Sequence, residues 1–349
     1  LKIFKFITII LWFPVLLMAQ FNLTANNIAH LFSNYADLSG WEAIGANPAN
    51  LALDTTVNSI NIGFIPFFSV PGMNLGNNSI SMKLLYDDFF TGEKLLEKQK
   101  NNLINAINNE GLAGYFQINQ NLIKYKTGHW GFGLGLAAFG QAKLPKSLVE
   151  LGLYGNEFEQ PVRIDDLDME ILTFGNINLN YGNEFRHEKI NQYVEHFYWG
   201  IGLDFLVGGF YQNLEKMTGY IMTRQDGFDL KSDVVTRFGS GGLGFALDLG
   251  MTAQINEKLS ASLSLQNAIS YINWGMFWNS FYHNENAGKI KYSYDLKINS
   301  PEFFSDELDS LLKNAETEDS VYALENFHTG IPAGYNLSGT YRINEKIKF

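Results

Sequence analysis

Cysteine is absent from this chain of 349 residues. Its absence excludes a disulfide framework, thiolate metal sites, a cysteine nucleophile and a lipidated N-terminal cysteine. Basic residues are the smaller charged group, with 25 Lys and Arg against 36 Asp and Glu, and the net charge is −11. A chain of this charge is repelled by phosphate backbones, so we expect no nucleic-acid partner.

Long uncharged apolar runs are also missing after the first 20 residues. Two early lysines, an apolar run over 6–18 and then Ala19 predict a secretory signal peptide over residues 1–19, with an uncleaved anchor as the alternative. No later segment suits a transmembrane helix, so membrane insertion would need a closed β-barrel. We therefore expect Sec-dependent export to the outer membrane of a Gram-negative cell.

The sequence does contain a repeated alternation of large apolar and small residues. In 130–138 every second residue is large or apolar and the others are glycine or alanine, and related patterns occur at 197–207 and 243–255. Because side chains alternate along a strand, each segment has one apolar face and one nearly bare face. The pattern predicts an all-β fold, a transmembrane antiparallel β-barrel. A secreted soluble β protein, with the apolar face turned inward, is an alternative.

The order of strands and connections is typical of an outer-membrane barrel. The predicted strands are 57–69, 114–126, 129–140, 169–183, 194–209, 242–255, 259–271 and 333–343, with a short strand at 78–86. Short connections alternate with the long connections 70–113, 141–168, 210–241 and 272–332, as periplasmic turns alternate with extracellular loops. A helix is predicted over 91–109, either in the first long connection or as a plug in the lumen.

An internal repeat bears on the end of the chain. Residues 252–261 resemble residues 340–349, and the first copy continues into a further strand whereas the second stops after three residues of it. We therefore expect a C-terminally truncated chain holding about nine strands of a larger barrel, unless Phe349 is the terminal aromatic residue of a finished one. The predicted domains are a signal peptide (1–19), an N-terminal hatch or plug segment (20–56) and the barrel (57–349).

Asn47, Pro48 and Ala49 come just before the first predicted strand, and this arrangement resembles the FadL-type outer-membrane β-barrels. Residues 144–146, 259–274 and 331–344 are more specifically similar to Bacteroidota barrels of that superfamily, which include PorV-like relatives. The resemblance implies that 47–49 belong to a hatch and that small hydrophobic molecules are taken up. The PorV-like relatives imply an alternative, a non-transporting scaffold or type IX secretion-associated barrel that binds other proteins.

Two groups of residues are candidates for function. Asp204 and Asp248 lie on the small-residue faces of neighbouring strands and would be lumen carboxylates, and close carboxylates retain a proton or attract a cation unless water or an arginine solvates each one. The candidate ligand-binding residues form an aromatic cluster of Trp274, Phe277, Trp278 and Phe281. An interfacial aromatic girdle is the alternative for that cluster.

Chemistry of other kinds is not predicted. Residues 239–244 match G-x-G-x-x-G, but an alternating strand rather than a helix follows, so dinucleotide binding is rejected. The six histidines lack metal-ligand spacing and no nucleophile elbow occurs, so we predict no metal, no cofactor and no enzyme. The expected partners are outer-membrane lipid, a hydrophobic small molecule or detergent in the lumen, and secretion-system proteins.

Overall fold

The computed structural model describes residues 36, 38–63, 72–84, 86–87, 95–275, 287–299, 320–324, 326–344 and 347–348. The predicted signal peptide, the first part of the predicted hatch, and Phe277, Trp278 and Phe281 lie outside these residues. Among the described residues, no helix is both long and apolar enough to cross a membrane.

An antiparallel sheet of 14 strands, curled into a half-barrel, dominates the described part of the chain. The strands are β1 (Ser59–Ile62), β2 (Gly72–Asn77), β3 (Leu112–Thr127), β4 (Trp130–Leu144), β5 (Pro161–Arg163), β6 (Asp168–Glu184), β7 (His196–Arg224), β8 (Gly227–Gln254), β9 (Leu259–Trp274), β10 (Ala287–Asn299), β11 (Ser320–Leu324), β12 (Phe327–Thr329), β13 (Gly334–Asn344) and β14 (Ile347–Lys348). Their main order is β1-β3-β4-β6-β7-β8-β9-β13-β14. The predicted β-rich class is therefore confirmed.

In the described part of the chain, four short α-helices and two 3₁₀ helices accompany the sheet. The α-helices are Met82–Leu84, Glu97–Ala106, Lys146–Tyr154 and Glu188–Asn191, and the 3₁₀ helices are Gly40–Ala43 and Pro48–Ala52. The predicted helix over 91–109 is thus shorter, and its C-cap, Ile107, has extended backbone. It packs beside Lys146–Tyr154 in the next long connection, where the Tyr154 hydroxyl donates to Asn101 Oδ1 at 2.7 Å.

Three sequence predictions about the long connections are wrong. The connection predicted at 272–332 includes β10, β11 and β12, which pair in the sheet. The short strand predicted at 78–86 is replaced by β2 at 72–77, because Asn77 turns the chain by accepting from the backbone nitrogens of Ser79 and Ile80. The long connection predicted at 210–241 does not exist as a loop. There β7 and β8 continue as a paired hairpin that closes between Arg224 and Gly227.

Cross-strand charge pairs accompany the backbone ladder of that hairpin. Glu215 forms ion pairs with Arg237 at 2.6 Å and with Lys289 at 2.9 Å. Nearer the tip, Arg224 pairs with Asp229 at 2.8 Å. β10 extends the ladder by pairing with β8 along its distal half. Opposite charges on facing strands stabilise such pairings, and a search for apolar alternation overlooks them.

The two faces of the sheet differ sharply in composition. On β4, Trp130, Phe132, Leu134 and Leu136 are exposed on one side, whereas the intervening glycines are buried on the other. We call these the outer face and the inner face. The inner face carries the buried clusters: one around Trp274 towards the long connections, and two small ones formed with residues 43–53 near the short turns.

Candidate functional site

A segment from the N-terminal side of the sheet is seated on the inner face. This N-terminal segment, residues 38–57, makes its two 3₁₀ turns at Gly40–Ala43 and Pro48–Ala52. The second turn begins at Asn47, whose side-chain oxygen accepts from the backbone nitrogen of Ala49 at 3.1 Å. Proline in the first position suits a helix start because its missing N–H would have had no helical partner. Asn47, Ala49 and Leu51 have no exposed surface.

We call the curled sheet the wall, and glycines on its inner face make room for the N-terminal segment. A Cβ atom added to Gly200 would overlap the backbone of Pro48 and Ala49, and one added to Gly182 would overlap the Pro48 carbonyl. On β4, a Cβ on Gly131 would lie 2.7 Å from Ile44 Cγ1. The bare face of the alternating pattern is therefore the surface on which the N-terminal segment packs.

Hydrogen bonds fix the segment in this position. The Asn47 side-chain amide donates to Thr252 Oγ1 at 3.1 Å, and the Thr252 hydroxyl donates to Asn50 Oδ1 at 2.5 Å. Gln266 on β9 donates through Nε2 to the carbonyl oxygens of Gly45 at 2.8 Å and Ala46 at 3.2 Å. These bonds are buried or partly buried, so breaking them without replacement is costly.

Two lysines on β3 also hold the segment, and neither was among the residues predicted to have a role. Lys124 Nζ donates to the carbonyl oxygen of Ile44 at 2.7 Å. Lys126 Nζ donates to the Val57 carbonyl oxygen at 2.9 Å and to that of Asp54. The signal was available, because both lysines alternate with the outward-facing Ile123 and Tyr125 and must therefore point inward.

Asp54 ends the seated part of the segment. Its carboxylate accepts from the Thr56 hydroxyl at 2.7 Å and from the Thr56 backbone nitrogen at 3.0 Å. These hydrogen bonds to the charged form, the hydroxyl first, lower the pKa of Asp54 below its ordinary value of 3.8. A cavity of about 290 Å³ opens beside it, between the segment and the ends of β8, β9 and β13.

The structure places Asp204 and Asp248 on the inner face, next to the seated segment. Both side chains are buried. Asp204 accepts a hydrogen bond from the Asn178 side-chain amide, and Asp248 Oδ1 accepts from the backbone nitrogen of Asn267 at 2.7 Å. The two residues lie on adjacent strands, two register positions apart. A shared role for them stays a prediction.

Trp274 also lies on the inner face, but at the other end of the sheet. It has no exposed surface and stacks on Tyr211 with a centroid separation of 5.5 Å, and its Nε1 donates to Thr329 Oγ1 at 2.8 Å. A Cβ on Gly208 would lie 2.7 Å from its ring, so glycine makes room here too. Phe277, Trp278 and Phe281 lie outside the described residues, and ligand binding by this cluster stays a prediction.

The outer face carries a continuous apolar surface across the sheet. Its exposed side chains are Ile60, Ile62, Ile123, Tyr125, Trp130, Phe132, Leu134, Leu136, Ile177, Trp199, Ile201, Phe205, Val207, Phe245, Leu249, Met251, Ile269, Tyr271, Leu337, Tyr341 and Ile343. Strand pairing sets many of them side by side, for example Leu134 beside Ile177 and Phe205 beside Phe245. Exposed apolar surfaces of this extent mark contact with a partner or a membrane.

Comparison with models of known protein families assigns the chain to one family. A model for a family of unknown function, DUF5723, matches residues 55–237 and 226–349. The chain belongs to the DUF5723 family. No curated protein and no solved structure matches it.

The match to DUF5723 covers the wall and stops short of most of the N-terminal segment. It begins at residue 55, so the wall glycines, Lys124 and both buried aspartates lie within the matched range, and Asn47, Pro48 and Ala49 lie before it. The family description gives no activity. The evidence on function lies in the arrangement of the N-terminal segment, the inner face and the outer face.

Proposed function

We propose that this chain forms the wall of a FadL-like outer-membrane β-barrel that takes up small hydrophobic molecules, with residues 20–56 as its hatch. The observation that carries the proposal is the contrast between the two faces of one curled sheet. Large apolar side chains are exposed on the outer face, and polar side chains are buried on the inner face. Lipid is the partner that such an outer face fits, and spanning strands of a barrel show this alternation.

The seated segment supports the hatch role. It fills the inner face near the short turns, and the wall has glycines at the positions where side chains would exclude it. Apolar packing and individual hydrogen bonds from Thr252, Gln266 and two lysines, Lys124 and Lys126, hold it in place. Within the described residues 38–57, no strand pairs with the sheet. A plug held by packing and side-chain bonds can leave without breaking the strand ladder, as uptake through the lumen requires.

A non-transporting scaffold or secretion partner is the second candidate, and the β7–β8 hairpin favours it. Residues 211–224 alone extend about 45 Å at about 3.3 Å per residue, more than a membrane crossing needs. The hairpin carries ion pairs and is widened by β10, so it offers a polar platform of the kind that binds proteins.

A cross-linking experiment tests whether the segment must move for uptake. The chain has no native cysteine, so the pair N50C and T252C can be joined by a short bifunctional thiol reagent where the native side chains are 2.5 Å apart. The matched control is S262C with S338C, where the native hydroxyl oxygens are 2.9 Å apart and the link joins β9 to β13 within the wall. The readout is entry of a fluorescent fatty acid into liposomes carrying the protein.

We expect the N50C–T252C link to abolish uptake and the S262C–S338C link to leave it near the uncross-linked rate. Equal uptake in both linked proteins would contradict a moving hatch. If neither the intact protein nor a variant lacking residues 20–56 exceeds empty liposomes, the uptake function is wrong and the scaffold function is favoured.

A further inference from the structure

A layer of polar side chains lies under the seated segment on β6, β7 and β8. Asn180, Gly202 and Asp248 occupy one row of the sheet in register, and Asp204 lies at the next inner-face position of β7. The preceding row contains Gly200, against which Pro48 packs. Asn180 has no exposed surface, and Asp248 and Asp204 are 3% and 6% exposed. Ionisable groups in this layer are therefore removed from bulk water.

The layer carries more negative than positive charge. Lys124 acts electrostatically on Glu42 of the N-terminal segment as well as on Asp204, and its ammonium donates a hydrogen bond to the Ile44 carbonyl oxygen. The charged neighbour of Asp248 is Asp204, which repels it. Among the described residues of the layer, two carboxylates and one ammonium leave one negative charge without a counterion. A buried uncompensated charge calls for a proton or a bound cation.

Asn180 supplies an independent observation that points to a ligand. Neither its side-chain oxygen nor its side-chain nitrogen has a hydrogen-bond partner, although the residue is fully buried. Its Oδ1 lies 2.7 Å from the place where a Cβ of Gly202 would be, and Asp248 Cβ lies 3.0 Å from the same place. The amide oxygen of Asn180 and the Asp248 side chain thus lie close together over Gly202, in the space that a side chain at this position would otherwise occupy.

We propose that a hard metal cation, Na⁺ or Ca²⁺, binds over Gly202 to the carboxylates of Asp204 and Asp248 and the amide oxygen of Asn180. Oxygen is the donor atom throughout, which selects hard cations over zinc or copper. The described residues contain no cluster of three His, Cys, Asp or Glu side chains able to hold a metal. The proposed site therefore depends on the Asn180 amide oxygen as its third ligand. The bound cation balances the unpaired negative charge of the two carboxylates. It also gives the Asn180 amide oxygen a partner.

The position of the site gives it a consequence for the N-terminal segment. The site is one row from Gly200 and Pro48, and Lys124 connects Asp204 electrostatically with the segment backbone at Ile44. A bound cation would lower the repulsion in the layer and so stabilise the seated arrangement. This inference holds whether or not the barrel transports, because it rests on the inner face alone.

Thermal unfolding of the full-length protein in detergent tests the site. Na⁺ or Ca²⁺ is titrated at constant ionic strength against choline, which is too bulky to enter. We expect a saturable rise of Tm by roughly 5 °C at a hundredfold excess over Kd. The variant D248N should lose the rise, whereas D226N, which alters an exposed aspartate at the hairpin tip, should keep it.

Measuring the number of bound ions directly tests the site in the native protein, even if a variant fails to fold. Equilibrium dialysis with radioactive Na⁺ or Ca²⁺ should find one ion per chain in the native protein and about tenfold weaker binding in N180A, which keeps both carboxylates. No saturable binding of either ion would overturn the proposal. A gain in Tm on mild acidification, with no effect of either cation, would overturn it too, because the carboxylates would then hold a proton.

Discussion

Gly200 lies against the backbone of the N-terminal segment, and its lack of a side chain is what permits the contact. The same holds for Gly182 against Pro48 and for Gly250 against Asn47. These positions have in common a close backbone approach rather than an unusual backbone angle. The small residues of the alternating pattern therefore have a specific structural meaning, which is to admit the segment.

Adding a single methyl group at Gly200 tests whether the small residues admit the N-terminal segment. Gly200→Ala puts a Cβ into the backbone of Pro48 and Ala49, so we expect the segment to be displaced at a cost of about 1–3 kcal/mol. Limited proteolysis should cut the variant within residues 38–57 faster than the native protein. Gly175→Ala is the matched control, because its Cβ would meet Leu136 Cδ2 at an ordinary 3.6 Å. Equal cutting of both variants would contradict the seating of the segment on Gly200.

The Asp54 carboxylate predicts a pH dependence. Hydrogen bonds from Thr56 hold its folded-state pKa below 3.8, so it stabilises the folded protein above that pH. The contribution disappears as the pH falls through the lower folded-state pKa. Comparison of unfolding in the native protein and Asp54→Asn should therefore reveal a difference at neutral pH that disappears as the pH falls below the folded-state pKa of Asp54. A difference that grows on acidification would contradict the assignment.

At the scale of the elements, the β7–β8 hairpin is one ladder with two kinds of surface. Near the short turns its outer side chains are apolar, such as Ile201 and Met251, and its inner side supports the segment. Beyond Phe210 the same strands are joined by ion pairs and by β10. The two strands are therefore continuous but differ in composition along their length. The part near the short turns belongs to the wall, and the part beyond Phe210 projects from it.

That division predicts that the projecting portion is dispensable for uptake. Residues 215–235 can be replaced by Asn-Gly, which joins the paired residues Leu214 and Thr236 through a tight hairpin turn. We expect unchanged extraction by detergent and unchanged fatty-acid uptake, because the outer apolar surface and the segment contacts remain. Loss of uptake in this variant would contradict the division. Deletion of residues 38–57 serves as the comparison that is expected to alter uptake.

At the scale of the whole molecule, the strands of the wall could be predicted well from the sequence, whereas the distal half of the β7–β8 hairpin could not. Alternation of large and small residues located β3, β4, β6 and β9 to within a few residues at either end. It could not find the hairpin beyond Phe210, because charged and polar residues interrupt the alternation of large and small residues there. The contact between the segment and the wall joins residues about 80 to 220 positions apart, which no local pattern encodes.

The candidate site could be predicted only in part, because its contacts also join residues that lie far apart in the sequence. The segment around Asn47 and the inward position of Asp204 and Asp248 follow from short motifs and from the two-residue period. The register that puts Asn180 beside Gly202 follows from strand pairing across β6 and β7 and was not visible in the sequence. Lys124 and Lys126 were visible by alternation, but their partners are backbone carbonyl groups that only the fold brings near.

The central claim is that the outer face of the sheet meets lipid. The chain has no cysteine, so single nitroxide labels can be placed at Leu134→Cys, Ile201→Cys and Phe245→Cys on the outer face and at Tyr193→Cys in a short-turn connection. In lipid bilayers, paramagnetic relaxation by oxygen and by a water-soluble nickel complex reports the surroundings of each label. The account predicts that oxygen dominates at the three outer-face labels and nickel at Tyr193→Cys. Equal access of nickel to all four labels would contradict it.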